Sequence, residues 1–163
     1  MKRLLIILIL QLPVLAAFSQ TEKMTNEKLS EIFQSITEQI EGQNGNWQFI
    51  IDSTLFICLT DETHNRMRII SPVEELAKIS KDQMLKCMEA NFHTVLDSKY
   101  AVSDDILWSV FIHPLGELTE EQVISAIVQV YSGVKTYGTV YSSGLLSFPK
   151  AEEVKKPKKE KKL

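Results

Sequence analysis

Residues 103–131 read SDDILWSVFIHPLGELTEEQVISAIVQVY, and this stretch sets the fold class. Ser103-Asp104-Asp105 reads as a turn. Residues 106–112 read as a strand, with Trp108, Val110 and Ile112 on one face and Leu107 and Phe111 on the other. Pro114 ends it, because proline has no N–H to give to a ladder. After Leu115-Gly116-Glu117 a helix begins with a marked entry. Thr119 caps, Gln122 sits at the third position, and Leu118 faces Val123 as a staple. Val123, Ile124, Ile127, Val130, Tyr131 and Val134 recur with helical spacing, and Gly138 ends the run. A strand leading into an amphipathic helix predicts a sheet with helices packed on it.

Working towards the N-terminus, a helix is expected over residues 80–92. Ser80 and Gln83 form a capping box, and Met84, Leu85, Met88 and Phe92 form its apolar face beside Cys87. Residues 94–102 are expected as the strand before the 103–105 turn. Ser71-Pro72-Val73-Glu74 reads as a short helix start, with proline at the first helical position. Three strands precede it: residues 47–51, residues 54–60 after an Asp52-Ser53 turn, and a third from about Arg66. A first helix is expected over residues 26–41. Thr25 caps it, Leu29, Ile32, Phe33, Ile36 and Ile40 make its stripe, and Gly42 stops it. The order α-β-β-β-α-β-β-α predicts an α+β fold: an antiparallel sheet of about five strands with three helices. Residues 139–149 are apolar but broken by Ser and Gly, and are left unplaced.

The first nineteen residues read as a secretory signal. Lys2-Arg3 is basic, residues 4–18 are almost wholly apolar, and Ala17-Phe18-Ser19 supplies small residues at the cleavage positions. The expectation is an exported protein, periplasmic or secreted, with one α+β domain over residues 20–149. That segment holds nine Lys/Arg against eighteen Asp/Glu, a net charge of −9. An acidic body argues against nucleic acid, whose binders need a basic face. Residues 150–163 read KAEEVKKPKKEKKL, too polar and charged to support a core. This Lys-rich tail reads as disordered, with weak contact to anionic envelope components as its functional reading.

No catalytic constellation emerges, and the protein is expected not to be an enzyme. His64, His93 and His113 fall in a loop, a helix end and a strand end, without metal-ligand spacing. Asp61-Glu62-Thr63-His64-Asn65 lacks the alternation and glycine of a calcium loop. Gly42-Gln43-Asn44-Gly45 is a turn without the Lys-Ser/Thr of a phosphate loop. No serine sits in a G-x-S-x-G elbow. Cys58 and Cys87 read as a bridge or as two buried thiols, and spacing alone leaves both open. No metal and no cofactor are expected. The alternative is a small exported hydrolase or ligand-binding enzyme, with a site assembled from residues distant in sequence.

The informative pattern is apolarity on both sides of a strand. Leu55, Ile57 and Leu59 point one way, and Phe56 and Cys58 the other. Helices on one face leave the second apolar face to be covered by residues 139–149, by a second copy, or by a client. Phe56, Cys58, Leu107 and Phe111 are assigned to this partner or dimer surface.

Residues 84–131, from MLKCMEANF through SDDILWSVFIHPLGELTEEQVISAIVQVY, resemble the type III secretion chaperone-like superfamily and the related YbjN-type family. The matching features are Met88-Glu89-Ala90-Asn91 at a helix end, the following hairpin, and Pro114-Leu115 with Leu118-Thr119-Glu120-Glu121 entering the last helix. The element order agrees over about residues 25–137. The resemblance implies a non-catalytic fold that dimerises and presents sheet and helix surfaces to extended partner segments. Type III chaperones work in the cytosol, whereas this chain carries an export signal, so their client class is not carried over. The expected function is an exported chaperone-like or adaptor module of the cell envelope, a homodimer or a binder of a protein client.

Overall fold

The computed structural model describes residues 22–144. The expected signal peptide, residues 145–149 and the Lys-rich tail lie outside the described residues. The element order is α1 (Asn26–Ile36), β1 (Ile40–Gln43), β2 (Asn46–Ile51), β3 (Thr54–Asp61), β4 (Arg66–Glu75), a 3-10 turn (Leu76–Lys78), α2 (Lys81–His93), β5 (Lys99–Ser103), β6 (Ile106–His113) and α3 (Glu120–Thr136). The fold is α+β, with three helices and a six-stranded antiparallel sheet of order β1-β2-β3-β4-β6-β5. Tight turns join β1 to β2, β2 to β3, and β5 to β6. Their central pairs, Asn44-Gly45, Asp52-Ser53 and Asp104-Asp105, all have positive φ, as the favoured two-residue hairpin turns require.

Two expected helical stretches are strand. The first helix stops at Ile36, and its last expected turn is β1. Thr37 turns the chain. Its N–H donates to Phe33 O, its hydroxyl donates to Ile50 O, and Gln39 O accepts from Ile50 N. The backbone thus joins the edge of β2 instead of continuing the helix. Gly42 is a strand residue at φ +93°, where a Cβ would lie 2.1 Å from Asn46 O. Residues 71–75 likewise continue β4, with a register shift between Pro72 and Glu74. Pro72 is tolerated at that irregularity, where the ladder is already broken. In the other direction, β5 starts at Lys99, so residues 94–98, expected as strand, form a connection.

The helices pack on one face of the sheet. Leu29, Ile32 and Phe33 of α1 join Trp47 and Phe49 of β2, Phe56 and Cys58 of β3, Met67 and Ile69 of β4, and Val123, Ala126, Ile127 and Val130 of α3 in the main core. Phe33 stacks on Phe49 at 4.7 Å between ring centroids, and Phe49 stacks on Phe56 at 5.2 Å. A smaller cluster joins Cys87 and Ala90 of α2 to Val95, Tyr100, Leu107 and Tyr141. Gly133 brings α3 close to β6, since a Cβ there would meet the Ser109 hydroxyl at 2.5 Å. Tyr100 ties the two clusters by donating to Gly133 O at 2.7 Å.

The Phe33 stack carries a direct test. Phe33→Ala empties a fully buried site against two aromatic rings, Trp47 and Phe49, and its cost is about 3–5 kcal/mol. A fall in the urea midpoint with an unchanged slope is the expected reading.

Candidate protein-binding surface

Among the described residues no helix lies over the second face of the sheet. Cross-strand partners share a face, so the register defines its rows. Ile57 lies opposite Ile70, and Ile70 opposite Val110. Leu59, Arg68 and Ile112 make the next row, Pro72 pairs with Trp108, and Ile50 pairs with Leu55. Ile50, Leu55, Leu59 and Ile112 are exposed, Ile112 at 56%. Ile57, Ile70, Val110 and Trp108 are half-buried by one another. The Trp108 indole N–H donates to Ser103 O, laying the ring along the β5–β6 hairpin. Within this apolar field Arg68 has no carboxylate partner among the described residues. The face therefore offers apolar rows with Arg68 among them, and Arg66 and Lys99 on the same face by register.

This arrangement corrects the expected site. Phe56, Cys58, Leu107 and Phe111 sit on the helix-covered face, each at most 5% exposed. The alternation along β3 and β6 is as read, but the faces are exchanged. Nor do residues 139–144 roof the free face: Tyr141 is buried on the helix side against Tyr100.

A second apolar surface lies on α2, where the expected core face is turned outward. Cys87 and Ala90 face inward, while Leu85, Met88 and Phe92 stand 59%, 60% and 75% exposed. Their spacing of three and four places them on one stripe. Such a stripe in water marks a contact surface.

The remaining polar candidates are structural. Asp61 accepts from His64 N at 2.9 Å and pairs with His64 Nδ1 at 2.7 Å. The His64 amide bond is the main reason its carboxyl sits below the usual range. Glu62 instead accepts from Asn26 N, and Asn65 holds Gly116 N and Glu117. The loop's oxygens thus serve separate partners rather than one cation. His113 Nδ1 lies 2.8 Å from Pro114 O, and His93 ends α2. Among the described residues no group of three His, Cys, Asp or Glu side chains could hold a metal ion. Both cysteines are free and buried.

No protein-family model matches this sequence, and no curated protein matches it. Solved structures do. The HopA1–SchA chaperone–effector complex matches with a TM-score of 0.52 at 13% identity, covering 67% of this chain and 88% of that chain. The Yersinia pestis type III secretion chaperone SycH, solved with a stable fragment of YscM2, matches with a TM-score of 0.55 at 16% identity, covering 69% of this chain and 98% of that one. The chain has a type III secretion chaperone-like fold, and at these identities the likeness is one of fold. These two neighbours do not confirm the likeness to the YbjN-type family.

Burial gives the thiols a measurable signature. Desolvation pushes Cys87 up to about 11 and Cys58 higher still. The folded state therefore keeps protons that the unfolded chain releases near pH ~8.5. The stability from these neutral thiols is complete below that pH and declines as pH rises towards about 11. A thiol reagent should leave both cysteines unmodified at pH 8 until denaturant unfolds the chain.

Proposed function

We propose that this protein is an exported, non-enzymatic, chaperone-like binding module. It holds an extended, apolar segment of a client protein on the free face of its sheet. The observation that carries this reading is the pair of apolar rows around Arg68, with no helix of the described residues above them. An apolar segment would bury the exposed isoleucines and leucines, and a carboxylate on it would neutralise Arg68. The client class is therefore an extended polypeptide with apolar residues and at least one Asp or Glu.

Two further features support the reading. Both solved neighbours are chaperones bound to partner polypeptides. The α2 stripe of Leu85, Met88 and Phe92 suits a second copy, which makes the working form a homodimer. Export rests on the basic start at Lys2-Arg3 and the apolar residues 4–18. It places the client in the cell envelope rather than the cytosol. The Lys-rich tail adds weak attraction to anionic envelope components.

Selection on an array of random peptides tests the client surface. Wild-type protein should enrich apolar peptides bearing Asp or Glu. Ile70→Asp should abolish enrichment, and Arg68→Glu should remove the preference for acidic residues. Enrichment unchanged by Ile70→Asp would place the binding surface elsewhere. Light scattering tests the copy contact: the wild type should be a dimer. The double variant Met88→Glu, Phe92→Glu should be a monomer with folding stability changed by less than about 1 kcal/mol, because both side chains are exposed. A monomeric wild type would remove α2 as a dimer surface.

A further inference from the structure

α2 turns Leu85, Met88 and Phe92 away from the core, and its attachment keeps them there. Ser80 and Gln83 fix the start of the helix through their capping box. Near its end the Asn91 amide reaches β5, donating to Tyr100 O at 3.0 Å and accepting from Tyr100 N at 2.7 Å. This two-point clamp satisfies the outer edge of β5 and sets the roll of the helix. Cys87 and Ala90 then face Tyr100, Leu107 and Tyr141. Rolling the apolar stripe inward would break the clamp and strand two backbone groups. The stripe is therefore fixed in the outward position.

A thioether stands at the centre of this stripe. Met88 lies three residues after Leu85 and four before Phe92. Among the methionines of the described residues, Met24 and Met67 are buried, Met84 is half-buried and Met88 is exposed. An oxidant in solution must touch the sulfur, so Met88 is the one it reaches first. A hydroperoxide transfers one oxygen atom to the sulfur lone pair. The O–O bond breaks and an S–O bond forms; the thioether loses two electrons, and the hydroperoxide is reduced to water or an alcohol. The product is a polar side chain that no longer suits an apolar contact. In a two-fold contact a patch meets its own copy, and the middle of the stripe lies nearest the axis. Two Met88 sulfoxides would enter one contact, among Leu85 and Phe92 side chains that offer no donor to their oxygens. We infer that Met88 is an oxidation site that sets the oligomeric state: the thioether permits pairing of α2 with a second copy, and the sulfoxide releases it. This rests on the homodimer reading of α2 and is independent of the client face of the sheet.

Light scattering over a dilution series, before and after hydrogen peroxide, tests the inference, with peptide mass mapping to locate the added oxygen. Met88 should gain its oxygen before Met24, Met67 and Met84. The dissociation constant of the dimer should then rise by about tenfold or more, with the circular dichroism of the fold unchanged. The two methionine sulfoxide reductases, one for each sulfoxide epimer, should restore the dimer. Met88→Leu keeps a similar apolar volume without the sulfur, so it should dimerise like the wild type and ignore peroxide. A dimer unmoved by oxidation of Met88 would overturn the inference and leave the copy contact standing. So would equal weakening of the wild type and Met88→Leu, which would assign the sensitivity to another residue. A wild type that is monomeric before peroxide would remove the copy contact and the inference together.

Discussion

A pleated sheet sends alternate side chains to opposite faces, and here both sets are apolar while helices cover only one. Everything else follows from that imbalance. The covered face is closed by aromatic packing: Phe33 on Phe49, Phe49 on Phe56, with Trp47 meeting Phe33 edge-on. It is closed further by the contact of Gly133 with β6 and by the Tyr100 hydroxyl on the Gly133 carbonyl. These contacts account for α1 and α3 lying on the same side. They leave Ile57, Ile70, Val110, Leu59 and Ile112 on the other side, with no helix of the described residues above them.

Much of this order is legible in the residues. The capping boxes at Ser80 and Thr119 stand as read, each with its glutamine bonded back to the cap. So do the hairpins of β2–β3 and β5–β6. The departures have physical causes. Ile36 and Ile40 fit a helical stripe, yet Ile40 is a strand residue facing the core side of β2. Asn44-Gly45, a strong short-range hairpin signal, was the clue that residues 40–43 pair with β2. Pro72 suggested a helix start, but it sits at a register shift in β4, where its missing N–H does no harm.

The candidate site was legible in kind and inverted in detail. Leu55-Phe56-Ile57-Cys58-Leu59 shows that both faces of β3 are apolar, but nothing local says which face the helices take. That choice belongs to the helices, whose side chains meet Phe56 and Cys58 through contacts distant in sequence. The same ambiguity affected α2. Met84, Leu85, Met88 and Phe92 make the larger apolar stripe, yet the helix buries Cys87 and Ala90, smaller residues that let it approach Tyr100 and Leu107. In both elements apolar residues remain in water, which is why the surface reads as one built for contact.

Trp108 offers the most direct test, because it stands on the free face while Trp47, the other tryptophan, is 1% exposed in the core. Acrylamide quenching of the protein therefore reports on the free face. Quenching should be efficient in the unliganded protein and should fall as an apolar, acidic peptide is titrated in. A peptide that binds while Trp108 stays equally quenchable, or a Trp108 already shielded in an isolated monomer, would contradict the account.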